Sequence, residues 1–297
     1  MKIFTRPECQ PSVLFVVSRY MQRHENAWIS KSDLISRLRP LNENSLRAES
    51  DVETNLTLGV ELDLFEEGDQ GIRLAKALRS IEGMNISQVA FLEILRNQVL
   101  KAPDGGFKFG DDASSNCDFM PTLAWWLGLS PVEGFPSNRK YKGKNLLEAV
   151  NVEPKLVKND TQWRAFNRWA IHLGFMRTQK SRKSGELIFP TLVTPFDSFF
   201  KSFSKGEVFK AKTLIKKLQK SFPMIDGTNL AKEVDEFIRF DRPGKDNRIG
   251  PVVYDALRIL EEKGKIKISS ASDKAADNQV FQSPNLELET ISQIEVR

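Results

Sequence analysis

The chain has 297 residues, 40% hydrophobic and 28% charged, with a net charge of +5 and a pI of about 9.1. That length allows two or three domains with cores of their own, and no stretch approaches the roughly 18 uncharged apolar residues of a membrane-spanning helix. With only Cys9, Cys117, His24 and His172, a disulfide scaffold and any mechanism built on a histidine cluster are excluded, and a reducing cytoplasm is the expected setting.

The N-terminal apolar run from Val13 to Val17 reads as a first helix, with Val13, Phe15, Val16, Val17 and Tyr20 along it. It lacks the basic start, long apolar stretch and small-residue cleavage site of a signal peptide. Ser30 is placed to cap a second helix, with Asp33 three residues on and Pro40 as its stop. A third helix closes at Leu58-Gly59, and a strand, a polar turn and a second strand follow to Ala75. From Leu41 to Gln70 the acidic residues are Glu43, Glu49, Asp51, Glu53, Glu61, Asp63, Glu66, Glu67 and Asp69, against Arg47 alone. Phosphates would be repelled by such a surface, so this segment is expected to be a solvated acidic face, with a basic protein rather than DNA as the partner if it binds one.

The order then repeats. Val89, Leu92, Leu95 and Val99 recur at helical spacing. After a loop rich in Asp and Gly comes the apolar stretch Phe119–Leu129, then an insertion over Val132–Lys144. Asn159 or Asp160 caps a helix that presents Trp163, Phe166, Trp169, Ala170 and Leu173. Gly174 suits a left-handed cap at its end, and a hairpin turning at Gly185 follows. Here the charge is positive. Arg164 and Arg168 stand four apart on the helix, and Arg177, Lys180, Arg182 and Lys183 load the hairpin. Long basic side chains on a hairpin can straddle a phosphate backbone.

A third copy begins with a lysine-rich segment, read as a helix. Lys201, Lys205, Lys210, Lys212, Lys216, Lys217 and Lys220 face only Glu207, and Phe203, Val208, Phe209, Leu214, Ile215 and Leu218 form its expected buried side. Lysines suit sequence-independent phosphate attraction. Arg239, Arg242, Lys245 and Arg248 precede a last helix opened by Pro251, whose missing N–H is not needed there. The N–H groups of that helix start, with these cations, could hold a phosphate. Gly264 marks the helix end, and the wing expected after it runs as one hairpin to Ser283.

Helix, glycine and hairpin, with two helices upstream, make a winged-helix unit. The fold class is therefore mainly α with small β-hairpins (α+β), in tandem winged-helix (wHTH) domains at 1–80, 81–196 and 197–297. Chemistry is sparse. The chain has no Gly-rich phosphate loop, HExxH or GxSxG. Asp104, Asp111, Asp112 and Asp118 match no EF-hand spacing. Pro103-Asp104 with Glu153-Pro154-Lys155 spells the letters of a nuclease core, but Pro154 argues against the central strand such a core needs. No catalytic residue, cofactor or metal is expected, and the protein is read as not an enzyme.

Four segments carry a resemblance: 58–75 (LGVELDLFEEGDQGIRLA), 118–131 (DFMPTLAWWLGLSP), 163–175 (WRAFNRWAIHLGF) and 189–196 (FPTLVTPF). They resemble the DpdG proteins of bacterial gene islands that insert 7-deazaguanine derivatives into DNA and restrict unmodified DNA, departing from that pattern at Phe189, where Asp is expected. The resemblance implies a role in DNA modification, restriction or antiviral defence beside other proteins of the island, and it carries no catalytic residue. The expected function is a multi-winged-helix adaptor whose partners are double-stranded DNA and other protein subunits, without membrane or small-molecule cofactor. The alternatives are a protein–protein scaffold without direct DNA binding and a winged-helix transcriptional regulator.

Overall fold

In the computed structural model, residues 3, 6–24, 27–39, 46–81, 86–101, 118–137, 140–141, 144–145, 156–157, 159–181, 185–237, 248–271 and 277–297 are described. The chain divides into two units, Met1–Lys101 and Ala102–Arg297. Both mix helices with small antiparallel sheets and hairpins.

The first unit runs α1 (Pro11–Arg23), α2 (Lys31–Leu38), α3 (Leu46–Glu61), β1 (Phe65–Gly68), β2 (Gly71–Leu74), α4 (Lys76–Arg79) and α5 (Gln88–Leu100). Ser30 caps α2 by accepting the Asp33 N–H at 3.1 Å, as the sequence leads one to expect. Leu14, Val17 and Met21 of α1, Leu34 of α2, Val52 and Leu56 of α3, and Phe91, Leu95 and Val99 of α5 form the core. Val89, expected on that face, is 74% exposed: it lies in the first turn of α5, two residues before Phe91 enters the core. Asn55 is fully buried in α3. Its amide donates to the Glu8 and Asp51 carbonyls and its oxygen accepts the Gln10 N–H. A buried polar group is tolerated because it is satisfied this way, and it ties the N-terminal segment to α3.

The second unit runs α6 (Phe119–Leu127), β3 (Phe135–Pro136), β4 (Lys140–Tyr141), β5 (Lys144–Asn145), α7 (Asp160–His172), β6 (Met176–Ser181), β7 (Gly185–Pro190), α8 (Val193–Phe200), β8 (Val208–Lys210), α9 (Ala211–Ser221), α10 (Asn229–Phe237), α11 (Pro251–Glu262), β9 (Ile266–Ser270), β10 (Gln279–Gln282) and β11 (Leu288–Val296). Trp125, Trp126, Trp163, Phe119, Phe135 and Phe166 form one aromatic cluster, with neighbouring centroids 5.6–6.3 Å apart. Burying each such ring is worth about 2–3 kcal/mol. The Trp126 indole N–H donates to the Phe175 carbonyl, and that of Trp163 to the Ser137 carbonyl.

One junction occurs three times. After α3, the Asp63 N–H bonds to the Val60 carbonyl and the Leu64 N–H to Gly59. After α7, Gly174 bonds to Ile171 and Phe175 to Ala170. After α11, Gly264 bonds to Glu261 and Lys265 to Leu260. All are 2.8–3.1 Å, the paired bonds of a left-handed helix terminus. Asp63, Gly174 and Gly264 have φ of 52°, 80° and 66°, and a strand starts two residues after each. Gly59 is therefore not the cap expected of it; it lies inside α3. A Cβ there would stand 2.1 Å from the Phe65 ring, so the missing side chain makes room for Phe65 rather than for a turn.

The sheets repeat as well. A segment between early helices pairs with the returning strand and leaves it central: Ile29 bridges Ile72 of β2, β3 pairs β7 in the order β3-β7-β6, and β8 and β9 flank β11. In the third copy the expected hairpin is different. β9 and β10 each pair with β11 and not with one another, because the partner of β9 is the C-terminal strand. Val208, expected in the core, is 54% exposed, while Phe209 beside it is buried: on a strand, neighbours point to opposite faces. The lysine-rich segment is only partly helical, since Lys201 and Lys205 lie in the loop before β8 and Lys210 ends that strand.

The two glycine junctions differ in their surroundings. A Cβ at Gly174 would meet Thr194 of α8 at 2.9 Å, whereas at Gly264 nothing lies within 4 Å. Gly264→Ala is expected to cost about 1 kcal/mol for the left-handed backbone alone, and Gly174→Ala about 2 kcal/mol or more. Urea unfolding of the two variants measures the difference; equal costs would mean that α8 gives way.

Candidate nucleic-acid interface

α7 begins where Asn159 accepts the Gln162 N–H at 2.9 Å. Trp163, Phe166, Trp169 and Ala170 are buried, as the spacing leads one to expect. The opposite side of the helix then has to carry Thr161, Arg164, Arg168 and Ile171. Arg164 is exposed, Arg168 is half-buried, and Ile171 is 37% exposed. His172 stands 2.8 Å from the Arg168 carbonyl through Nδ1. A carbonyl only accepts, so Nδ1 carries the proton and the ring is held to its own helix.

Beyond α7 the strand β6 exposes four consecutive residues, Arg177 to Lys180. Consecutive strand residues point to opposite faces, so this end of the hairpin is uncovered on both. At its base Met176, Ile188 and Phe189 are buried. Arg182 and Lys183 fall outside the described residues, as do Arg242, Lys245, Cys117 and the Asp104, Asp111 and Asp112 of the early loop. Arg177 is exposed yet engaged. Its guanidinium lies 4.3 Å over the Phe189 ring and donates to the Pro131 carbonyl at 3.1 Å.

Two of the seven lysines between 201 and 220 are seen paired with carboxylates of the described residues, and Lys212 also acts on one of these, Asp277. Lys201 pairs with Asp197 at 2.6 Å and Lys210 with Asp277 at 2.7 Å. Lys217 Nζ sits 5.6 Å from both the Phe203 and Phe209 rings. Lys205, Lys212, Lys216 and Lys220 are exposed, and the last three recur every fourth residue on one stripe of α9. Arg248 is half-buried just before α11. The start of α11 is already taken by an acid: buried Asp226 accepts the Gly250 N–H at 3.1 Å, which disfavours a phosphate there.

The acidic stretch of the first unit is partly neutralised from outside it. Lys31 reaches Glu53, Arg6 reaches Glu61, Arg73 and Arg79 both reach Glu66, and Lys101 reaches Asp63, all within 3.0 Å. Glu67 and Asp69 stay exposed at the tip of the β1–β2 hairpin. Burial pushes the Cys9 thiol up to about 12, which keeps it protonated and unreactive. Among the described residues no group of three or more His, Cys, Asp or Glu is placed to hold a metal ion, and no helix is long and apolar enough to cross a membrane.

A polar network on α11 goes beyond what the sequence leads one to expect. Arg258 donates to Glu261 at 2.6 Å, to Glu289 of β11 and to the Tyr254 hydroxyl. Tyr254 and Ser270 donate to Glu289 at 2.5 Å each. Burial works against the Arg258 charge, but bonds to Glu289, Tyr254 and Glu261 outweigh it and raise the guanidinium above its ordinary value. Burial likewise opposes the Glu289 charge, and Ser270, Tyr254 and Arg258 hold that carboxyl below the usual range. Only the Arg258–Glu261 and Tyr254–Arg258 spacings are legible in the sequence; Glu289 is 31 positions away from Arg258.

A family model described as DpdG-like matches residues 1–274. No curated protein and no solved structure matches the chain.

Because the Glu289 carboxyl is depressed in the folded chain, its contribution to stability is complete above the unfolded glutamate value of about 4.3 and is lost as pH falls through the lower folded value. Glu289→Gln should cost about 1 kcal/mol at neutral pH and flatten the acid limb. Denaturant unfolding at a series of pH values checks both, and an unchanged acid limb would remove Glu289 from the account.

Proposed function

The chain belongs to the DpdG-like family, a component of Dpd DNA-modification systems, and from that premise we propose that it is a non-enzymatic adaptor built of tandem winged helices that holds duplex DNA for such a system. The three repeated junctions and their centrally placed return strands support the winged-helix reading. In it, α7 is a groove-facing helix and β6–β7 is a wing.

The observation that carries the DNA reading is the pairing of a helix face bearing Arg164 and Arg168 with a hairpin uncovered on both sides at Lys180. Such a pair grips a duplex at two points, the helix along a groove and the hairpin over the adjoining backbone. Lys205, Lys212, Lys216 and Lys220 add a sequence-independent phosphate attraction, and Arg248, Arg242 and Lys245 would contribute further cations from the segment before α11. The same adaptor would meet protein through its first unit, where Glu67 and Asp69 are exposed.

A second reading, a scaffold that binds only protein, is favoured by one observation: Arg258, the arginine of α11, is bound up with Glu261 and Glu289. On that reading partner subunits stay attached after nuclease treatment and the purified chain has no duplex affinity at low salt.

Salt titration of duplex binding by the intact chain separates the two. Replacing Lys180, Arg182 and Lys183 with Ala should flatten the dependence of log K on log salt by roughly 0.9 for each phosphate no longer neutralised. A slope equal to that of the unsubstituted chain would retire the hairpin as a DNA element.

A further inference from the structure

We infer that Arg177, read from the sequence as a phosphate ligand, instead positions the basic hairpin by fastening its base, and leaves the phosphates to Lys180 and the arginines of α7. The inference rests on the duplex-binding reading above and deepens it.

Arg177 and Phe189 are directly paired across β6 and β7. The ring is only 6% exposed although it points away from the face where Met176 and Ile188 enter the core, and it is covered from two sides. One is the backbone at Gly134, where a Cβ would stand 2.7 Å from the ring. The other is the Arg177 guanidinium at 4.3 Å, held by its bond to the Pro131 carbonyl. Asp255 of α11 faces the same group: burial pushes its carboxyl up, and the Arg177 charge draws it back. A planar cation that stacks and donates sideways at once is a task for arginine; lysine has the charge without the plane.

The hairpin makes that base decisive. Outward of the Arg177–Phe189 pair β7 is still held, since Ile188 is buried, β3 pairs β7 as far as Leu187 and the Ser137 N–H bonds to the Glu186 carbonyl. β6 is the outer strand of the β3-β7-β6 order, with Thr178, Gln179 and Lys180 exposed, so its direction is set where Arg177 fastens it to β7. A strand rises about 3.3 Å per residue, so a tilt of roughly 10° at Arg177 moves a tip five residues away by roughly 3 Å. That displacement exceeds the tolerance of a hydrogen bond to phosphate.

The test uses the intact chain as Arg177→Lys, Arg177→Gln and Lys180→Gln. Amide hydrogen exchange is followed in the free protein, and duplex binding is measured across a salt series. In Arg177→Lys, hairpin amides are expected to exchange roughly tenfold faster, in line with removal of a cation–π interaction and a charged hydrogen bond. Amides of α7 and α11 stay protected, which separates a loosened hairpin from a misfolded chain. Affinity then falls at every salt concentration with the slope retained, whereas Lys180→Gln lowers the slope by roughly 0.9 without a change in exchange. The reverse result overturns the assignment: an unsubstituted-like Arg177→Lys, with Arg177→Gln lowering the slope and leaving hairpin exchange unchanged, makes Arg177 a phosphate ligand. If the unsubstituted chain has no duplex affinity, the DNA reading fails, and unchanged hairpin exchange in both Arg177 variants still overturns the clamp.

Discussion

A single left-handed residue beyond each of α3, α7 and α11 governs this chain. Asp63, Gly174 and Gly264 each turn the backbone so that two amides bond back into the helix just ended, and a strand starts two residues later. Once that turn is made, the strand must return, and the return strand finds its second neighbour in a segment threaded between the earlier helices. The Ile29 bridge, β3 and β8 fill that place in turn. The energy of each turn is small, but without it the apolar residues that follow could not fold back against the helix. Phe65 reaches into the gap left by Gly59 for this reason, and Phe175 is buried directly beside Gly174.

Formal charge alone is a poor guide to which surfaces meet anions. The acidic stretch of the first unit receives five basic residues from elsewhere in the sequence, and the lysine-rich segment gives up two of its cations to Asp197 and Asp277. Exposed pairs of this kind add little stability, yet they lower the field that a phosphate or a basic partner would meet. Outside these pairs, Arg164 of α7, Lys180 of the hairpin and Lys205, Lys216 and Lys220 of the lysine-rich segment are exposed.

What the sequence made legible was local. Caps at Ser30 and Asn159, Pro251 at a helix start and the buried stripe of α7 depend on residues within one turn of each other, and their spacing suffices to find them. The Leu58-Gly59 pair misled because it has the letters of a cap, while the left-handed position is occupied by an aspartate. The partner of β9 was missed because β11 arrives from the end of the chain, and a short alternating run does not say with which strand it pairs. Arg177 looked like its basic neighbours in the hairpin; what sets it apart is a carbonyl 46 positions away and a ring across the sheet. The carboxylate at the start of α11 was hidden for the same reason, since Asp226 and Gly250 meet only in three dimensions.

α8 follows β7 after only two residues, lies close against the Gly174 junction and packs on α11. One short rod thus packs against the junction from which the basic hairpin leaves and opens the segment that carries α9. The loop 201–207 that joins α8 to β8 and α9 is itself tied down, with the Phe203 N–H bonded to the Phe200 carbonyl and the Gly206 N–H to the Val296 carbonyl. The offset from the hairpin to α9 is therefore set by packed and hydrogen-bonded chain, and it is fixed as the second unit folds.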